Sequence, residues 1–423
     1  MPGAAQTTTL VLFVAFLVAM PVIAAVSQRL RLPYTVALVV AGLLLSALPL
    51  RGEVGLSPAI VTTVLLPALV FEAAYRLDIE ELRTTYGAIA LLAVPGVLIT
   101  AAIVAVILNA TTGLPMAEAF VVGAIVSATD PVAVVQTMRQ LAAPRRLVTL
   151  VDGESLFNDG TAALVFVIAV GALTSPPDPL GGAIAFLGGI VVSSLIGLAV
   201  GFLAVRGLAM TRDHLMELTL TLLAAYGSYL VADLLHLSGI IASVVAAIVL
   251  GGLGRRGPMS DRAEEAVDVV WEFLAFLMSA AAFLLIGILI PFSALASAVV
   301  QIAWGVAAVL VGRAAVVYLL LGGASRIGGR IGMPTLPLGW LHVIAWAGLR
   351  GAVATVLALA LPSGTPDREL LQGVVFGIVL FTVVVQGATA GRVVRWAGVV
   401  SADPAGAAVS RGTGGRGEET VGR

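Results

Sequence analysis

The chain has 423 residues, 60% of them hydrophobic and 11% charged, with a net charge of −1. Soluble globular chains carry about 45–50% apolar and about 25% charged residues, so this composition excludes a soluble enzyme and a disordered chain and points to an integral membrane protein. All 23 basic residues are arginine against 24 acids, which leaves no basic surface for nucleic acid, and the absence of cysteine removes disulfides, thiolate metal sites and cysteine nucleophiles.

A helix crossing the ~30 Å hydrocarbon core needs roughly 20 mainly apolar residues. In chain order, thirteen such stretches lie at 7–26, 32–50, 56–75, 86–108, 115–138, 147–173, 180–205, 214–236, 238–253, 266–290, 294–321, 336–361 and 370–390. They predict an all-α membrane protein of about thirteen transmembrane helices. The ninth is short and follows the eighth closely, so twelve remains an alternative. Alternating segments of about ten residues, the mark of a transmembrane β-barrel, are not found. The leader MPGAAQTTT has no basic residue and precedes a long apolar run, so the first stretch reads as a span rather than a signal peptide. From Ser401 to Arg423 the apolar period ends, and a short disordered tail is expected.

Arginine placement predicts the orientation. Nineteen of the 23 arginines fall in one set of alternate loops together with the C-terminal tail. The other set holds Arg51 and Arg368, while Arg313 and Arg350 lie within spans. The N-terminus is therefore expected outside and the C-terminus in the cytoplasm. Span 1 starts outside and span 8 inside, so spans 1–6 and 8–13 would form inverted halves, an arrangement typical of secondary transporters.

A charge in mid-bilayer costs at least about 2.5–3.5 kcal/mol, so each one asks for a reason. In span 5, Pro131 follows Thr129 and Asp130 and predicts a broken helix. Freed backbone groups at that depth are tolerated where they line a cavity or an ion site. In span 6, Ser155 and Asp159 are i,i+4 neighbours, as are Glu154 and Asn158. From Leu147, a rise of about 1.5 Å per residue puts Asp159 roughly 18 Å deep. These hard oxygens suit an alkali cation or a proton rather than zinc. Arg350 in span 12 keeps its charge and must meet an acid or carbonyls; Glu154 and Glu72 are the candidates. If the halves are inverted, span 12 corresponds to span 5 and the two irregular helices would face each other. Glu217, Asp268 and Glu272 near cytoplasmic span ends read equally well as an acidic funnel or as ordinary interfacial acids.

Thr129-Asp130-Pro131, the run from Gly153 to Gly160 (GESLFNDG), Phe71-Glu72-Ala73-Ala74 and Gly348-Leu349-Arg350-Gly351 together resemble the monovalent cation:proton antiporter family. The likeness is greatest to its NhaP-type sodium/proton antiporters, relatives of the animal sodium/proton exchangers, and extends over essentially the whole membrane region. The resemblance implies a dimerisation scaffold (1–85 with helices 1–3, and 214–293 with helices 8–10). It further implies a mobile core (86–179 with helices 4–6, and 294–395 with helices 11–13), a linking helix at 180–213 and a short tail at 396–423. It assigns the Na+ and proton site to Asp159, Asp130, Ser155, the Thr129 backbone and, in some members, Glu72. Arg350 is expected to pair with a glutamate, Glu154 ahead of Glu72. Electrogenic relatives carry a second aspartate where this chain has Asn158, so electroneutral one-for-one exchange is expected, with Asn158 supporting Glu72 or Glu154. Many relatives place an asparagine within the run that here reads Met278-Ser279-Ala280-Ala281-Ala282, so a polar contact is missing there.

The function implied is Na+/H+ antiport by alternating access, with Li+ or K+ as other cargo, K+/H+ antiport as the alternative, no cofactor and a homodimeric assembly in the cytoplasmic membrane. A cation channel would not need so many titratable groups. An intramembrane aspartyl protease would need Tyr-Asp and Gly-x-Gly-Asp runs, whereas Asp130 follows threonine and Asp159 follows asparagine.

Overall fold

The computed structural model describes residues 2–30, 32–46, 61–174, 178–289, 292–327 and 335–399, all helical or connecting, with no strand among them. The expected tail from Ser401 lies outside the described residues. Helix α1 (Pro2–Leu30) bends by 117° into α2 (Tyr34–Ser46). After α3 (Leu66–Tyr75) come α4 (Ile79–Thr112), the broken pair α5 (Met116–Ser127) and α6 (Val132–Gln140), and then α7 (Arg145–Gly171). The chain continues through α8 (Pro179–Leu208), α9 (His214–Leu234), α10 (Gly239–Gly254) and α11 (Asp261–Leu289). It closes with α12 (Val299–Arg326), a second broken pair, α13 (Leu338–Trp346) and α14 (Ala352–Leu359), and finally α15 (Arg368–Trp396). Helical segments thus occupy parts of all the apolar stretches. Among the described residues eight helices are each long and apolar enough to cross a membrane, nine if the α1–α2 bend is one span.

Short polar caps start these helices where the apolar runs begin. Asp78 accepts the amide hydrogens of Glu80 and Glu81 to open α4, Asp178 that of Gly181 for α8, Asp213 that of Leu215 for α9 and Ser238 that of Ile241 for α10. Each supplies a partner for an otherwise orphaned N–H, worth about 0.5–2 kcal/mol. Gly113, at φ 72°, ends α4 in the left-handed conformation and turns the chain directly into α5.

The helices pack in two groups. In one, α4 lies against α5, α7 and α12, and α15 lies against α5, α12 and α14. In the other, α8, α9 and α10 pack together, α10 and α11 cover α3, and α11 covers α2. Helix α2 also touches α6 and α15, and α10 touches α7, so the groups share a boundary. The outer side of α8 shows Leu180, Ile184, Leu187, Val191, Leu195 and Phe202, an apolar surface fit for lipid or a second copy.

Helices α2 and α11 cross backbone to backbone. A Cβ on Gly287 would lie 2.7 Å from the Leu43 nitrogen and 2.8 Å from the Gly42 Cα, and one on Gly42 would lie 2.9 Å from the Gly287 Cα. No flexible side chain can yield there, so the helices must separate, and dispersion contacts along the seam are lost. Gly287→Val is expected to lower the melting temperature or folded yield markedly in detergent. A wild-type melting curve for that variant would show that the crossing is looser than described.

Candidate functional site

Helix α5 stops at Ser127 because the chain turns extended at Ala128 (φ −59°, ψ 136°) on its approach to Pro131. Proline lacks an amide hydrogen and disfavours the helical conformation in the residue before it. The second break, Ala347 to Gly351, separates α13 from α14. The two breaks meet, as inversion of the halves predicts: the Asp130 amide donates to the Leu349 carbonyl at 2.8 Å. A Cβ on Gly351 would collide with the Asp130 carboxylate, so glycine is what permits the approach.

This crossing brings four helix ends together and places one ionisable side chain at each kind of end. The Asp130 carboxylate accepts from Val132 N at 3.2 Å and Ala352 N at 3.3 Å, the starts of α6 and α14. Arg350, fully buried, donates from Nε to the Val126 carbonyl at 2.6 Å and from Nη1 to the Gly348 carbonyl, near the ends of α5 and α13. Its own amide donates to Thr382 Oγ1 at 3.0 Å. Helix starts carry about +0.5 and helix ends about −0.5 of an elementary charge. Asp130 and Arg350 therefore oppose the dipoles that a pair of broken helices leaves in a low-dielectric interior.

Helix α7 closes the site from one side. The Ser155 hydroxyl donates to the Thr129 carbonyl at 2.6 Å. Asn158 Nδ2 donates to Thr129 Oγ1 at 2.6 Å, and the Thr129 amide donates to Asn158 Oδ1 at 3.2 Å. Those bonds clamp the freed peptide at the break. Asp159 follows Asn158 by one residue and lies one helical turn beyond Ser155, on the same helix face. Both carboxylates retain partial exposure, whereas Thr129, Ser155 and Asn158 are buried. No hydrogen bond or ion pair within the described residues holds the Asp159 carboxylate.

Asp130, Asp159, Ser155, Thr129 and Asn158 are thus brought into one group. Two expected pairings differ. Glu154 binds Arg313 of α12 rather than Arg350: Nη1 meets Oε1, Nη2 meets Oε2 at 2.8 Å, and Nη2 also donates to the Ile344 carbonyl at 2.8 Å. Arg350 is drawn instead to the carbonyls that the breaks expose, which leaves Glu154 to the two-pronged guanidinium on the neighbouring helix. Asn158 supports neither glutamate, because the unpaired Thr129 peptide lies within its reach.

Glu72 is not part of the bonded group. Arg76, one turn on at i+4, holds it at 2.8 Å and also reaches Glu272 at 3.1 Å. The acids near the span ends are likewise engaged. Asp268 pairs with Arg255, and buried Glu217 accepts the Ser260 amide at 3.0 Å and its hydroxyl at 3.1 Å. Arg313 is the functional-site residue that sequence reasoning passed over; an arginine inside an apolar span was its signal. Thr382 carried no signal beyond a hydroxyl in a span.

The arrangement offers two carboxylates, hydroxyls and a backbone carbonyl freed from the helix around a break, all hard oxygen donors. Such a set can hold an alkali cation or take a proton.

Residues 12–396 match the family model described as "Sodium/hydrogen exchanger, transmembrane". The chain is 37% identical over 382 residues to the low-affinity Na+/H+ antiporter NhaS1 of Synechocystis sp., covering 88% of this chain and 71% of that one. It is 36% identical over 354 residues to the Na+/H+ antiporter NhaP of Pseudomonas aeruginosa, covering 79% of this chain and 80% of the relative. The fold matches the sodium proton antiporter MjNhaP1 of Methanocaldococcus jannaschii with a TM-score of 0.72 at 19% identity, over 92% of this chain and 99% of that one. With the crossed breaks and clustered carboxylates already in place, these likenesses converge: this multi-pass helical membrane protein belongs to the transmembrane sodium/hydrogen exchanger family.

Proposed function

We propose that the protein is a secondary active antiporter exchanging Na+ for H+ across the cytoplasmic membrane by alternating access. The observation that carries this reading is the Asp159 carboxylate, unbonded among the described residues, beside the clamped helix break at Thr129 and Asp130. A cation there would take oxygens from Asp159, Asp130, Ser155 and the Thr129 backbone, and a proton would occupy the same carboxylates when the cation leaves. Glu72, tied to Arg76, lies outside this set. The packing of helices into two groups supports a mobile core, α4–α7 with α12–α15, sliding against a scaffold of α1–α3 and α9–α11, with α8 linking them. The exposed apolar side of α8 and the loop arginines support a homodimer with its N-terminus outside and its C-terminus in the cytoplasm.

The exchange is one cation for one proton. Asn158 adds no charge to the site, so either load leaves the same net charge on the moving core. The membrane potential acts at about 2.3 kcal/mol per charge per 100 mV, and a neutral cycle gains nothing from it. In proteoliposomes, Na+, Li+ and K+ tested singly under an imposed pH gradient are expected to show exchange with Na+. With potassium and valinomycin setting the voltage, the gradient at zero flux should follow the pH difference alone. A zero-flux point that moves with voltage would exclude one-for-one exchange, and no coupled flux with any alkali cation would exclude antiport.

A further inference from the structure

Beside the crossing lies a second polar feature, a cavity that borders the transport site at Thr129 and Asn158. Arg350 is fully buried, and its Nη2 has no hydrogen-bond partner among the described residues. It borders a small cavity, about 10 Å³ measured at water centres, that is also lined by Thr100, Thr129, Glu154, Asn158 and Arg313. Thr100 on α4 is buried, and its hydroxyl makes no hydrogen bond within the described residues. About 10–15 Å³ on this measure accommodates one water, which needs two to four polar partners.

We propose that this cavity is a binding site for one resident water molecule, which accepts from Arg350 Nη2 and joins Thr100 and the Glu154–Arg313 pair to the crossed breaks. The charges favour water over an anion. Glu154 lines the same space and would repel an anion, and Arg350 is already opposed by the ends of α5 and α13. The size also favours water, since chloride is larger than the single water-sized space. A water serves both signs at once: its oxygen accepts from the guanidinium and its hydrogens reach oxygens on α4, α5 or α7. An orphaned buried N–H costs its full desolvation penalty, more when charged, so an ordered water is the natural means of satisfying it. The inference does not depend on which ion the protein carries.

The test is a density map of the full-length protein in lipid nanodiscs at a resolution that shows ordered waters. One solvent peak within hydrogen-bond reach of Arg350 Nη2 is expected. A dry cavity, or a peak that becomes that of a heavy halide when bromide replaces chloride, overturns the proposal. A melting series reads the same point independently. Thr100→Val exchanges the hydroxyl for a methyl and should lower the melting temperature by a few degrees, more than Thr100→Ser, which keeps the hydroxyl. If the cavity is dry, the added methyl is instead neutral or stabilising, and a Val variant as stable as wild type overturns the inference.

Discussion

Asp159→Asn is expected to abolish exchange while leaving a folded protein of nearly wild-type melting temperature, and Asp159→Ala to behave alike. The carboxylate has no partner within the described residues to lose, so folding should be spared. Transport should not be. A unit charge about 4 Å from a cation contributes about 4 kcal/mol at an effective dielectric constant of 20. Removing it weakens cation binding on the order of a thousandfold, and the same substitution deletes the proton carrier. Asp130→Asn should differ in kind. Its carboxylate faces the starts of α6 and α14, so loss of charge should reduce stability as well as transport. Normal cation-driven proton movement by either Asp159 variant, followed with a pH-sensitive dye in proteoliposomes, would remove Asp159 from the site.

The second large effect belongs to the Glu154–Arg313 pair. Both side chains are almost wholly buried, at 2% and 7% exposure. Truncating one partner strands a buried charge, at a cost of about 3–5 kcal/mol, whereas replacing both with apolar groups of similar volume is often close to neutral. Arg313→Met and Glu154→Leu should each lower the melting temperature or folded yield sharply. The double variant should recover much of the loss. The same cycle run with Arg350 and Glu154 should show weaker coupling, because the Arg350 guanidinium bonds the Val126 and Gly348 carbonyls rather than Glu154. Equal coupling for the two arginines would mean that the guanidiniums share the carboxylate.

What could be read from the chain divides along physical lines. Hydropathy located the helices because lipid imposes one requirement along a whole span. Pro131 marked the first break because its missing amide hydrogen acts locally. The helical spacing of Ser155 and Asp159 put them on one face of their helix, since position on a helix face follows from residue number, whereas the bond from Asn158 to Thr129 was not legible in that spacing. The partner of Glu154 was not legible: it depends on how α12 and α13 are rotated against α7, which no local pattern encodes. Arg350 was misread for a related reason. Broken helices create acceptors in their own backbone, and these compete with carboxylates for a buried cation. Glu72 is different, because Arg76 at i+4 was visible in the sequence and local pairing explains its engagement.

The central claim is that one site holds either a cation or a proton, and calorimetry of cation binding tests it without transport. Purified protein titrated with Na+ in buffers of different ionisation enthalpy should release close to one proton per cation bound, and Asp159→Asn should bind Na+ only weakly and release none. Na+ binding with no proton released by the wild type, or undiminished release by Asp159→Asn, would contradict a shared carboxylate site.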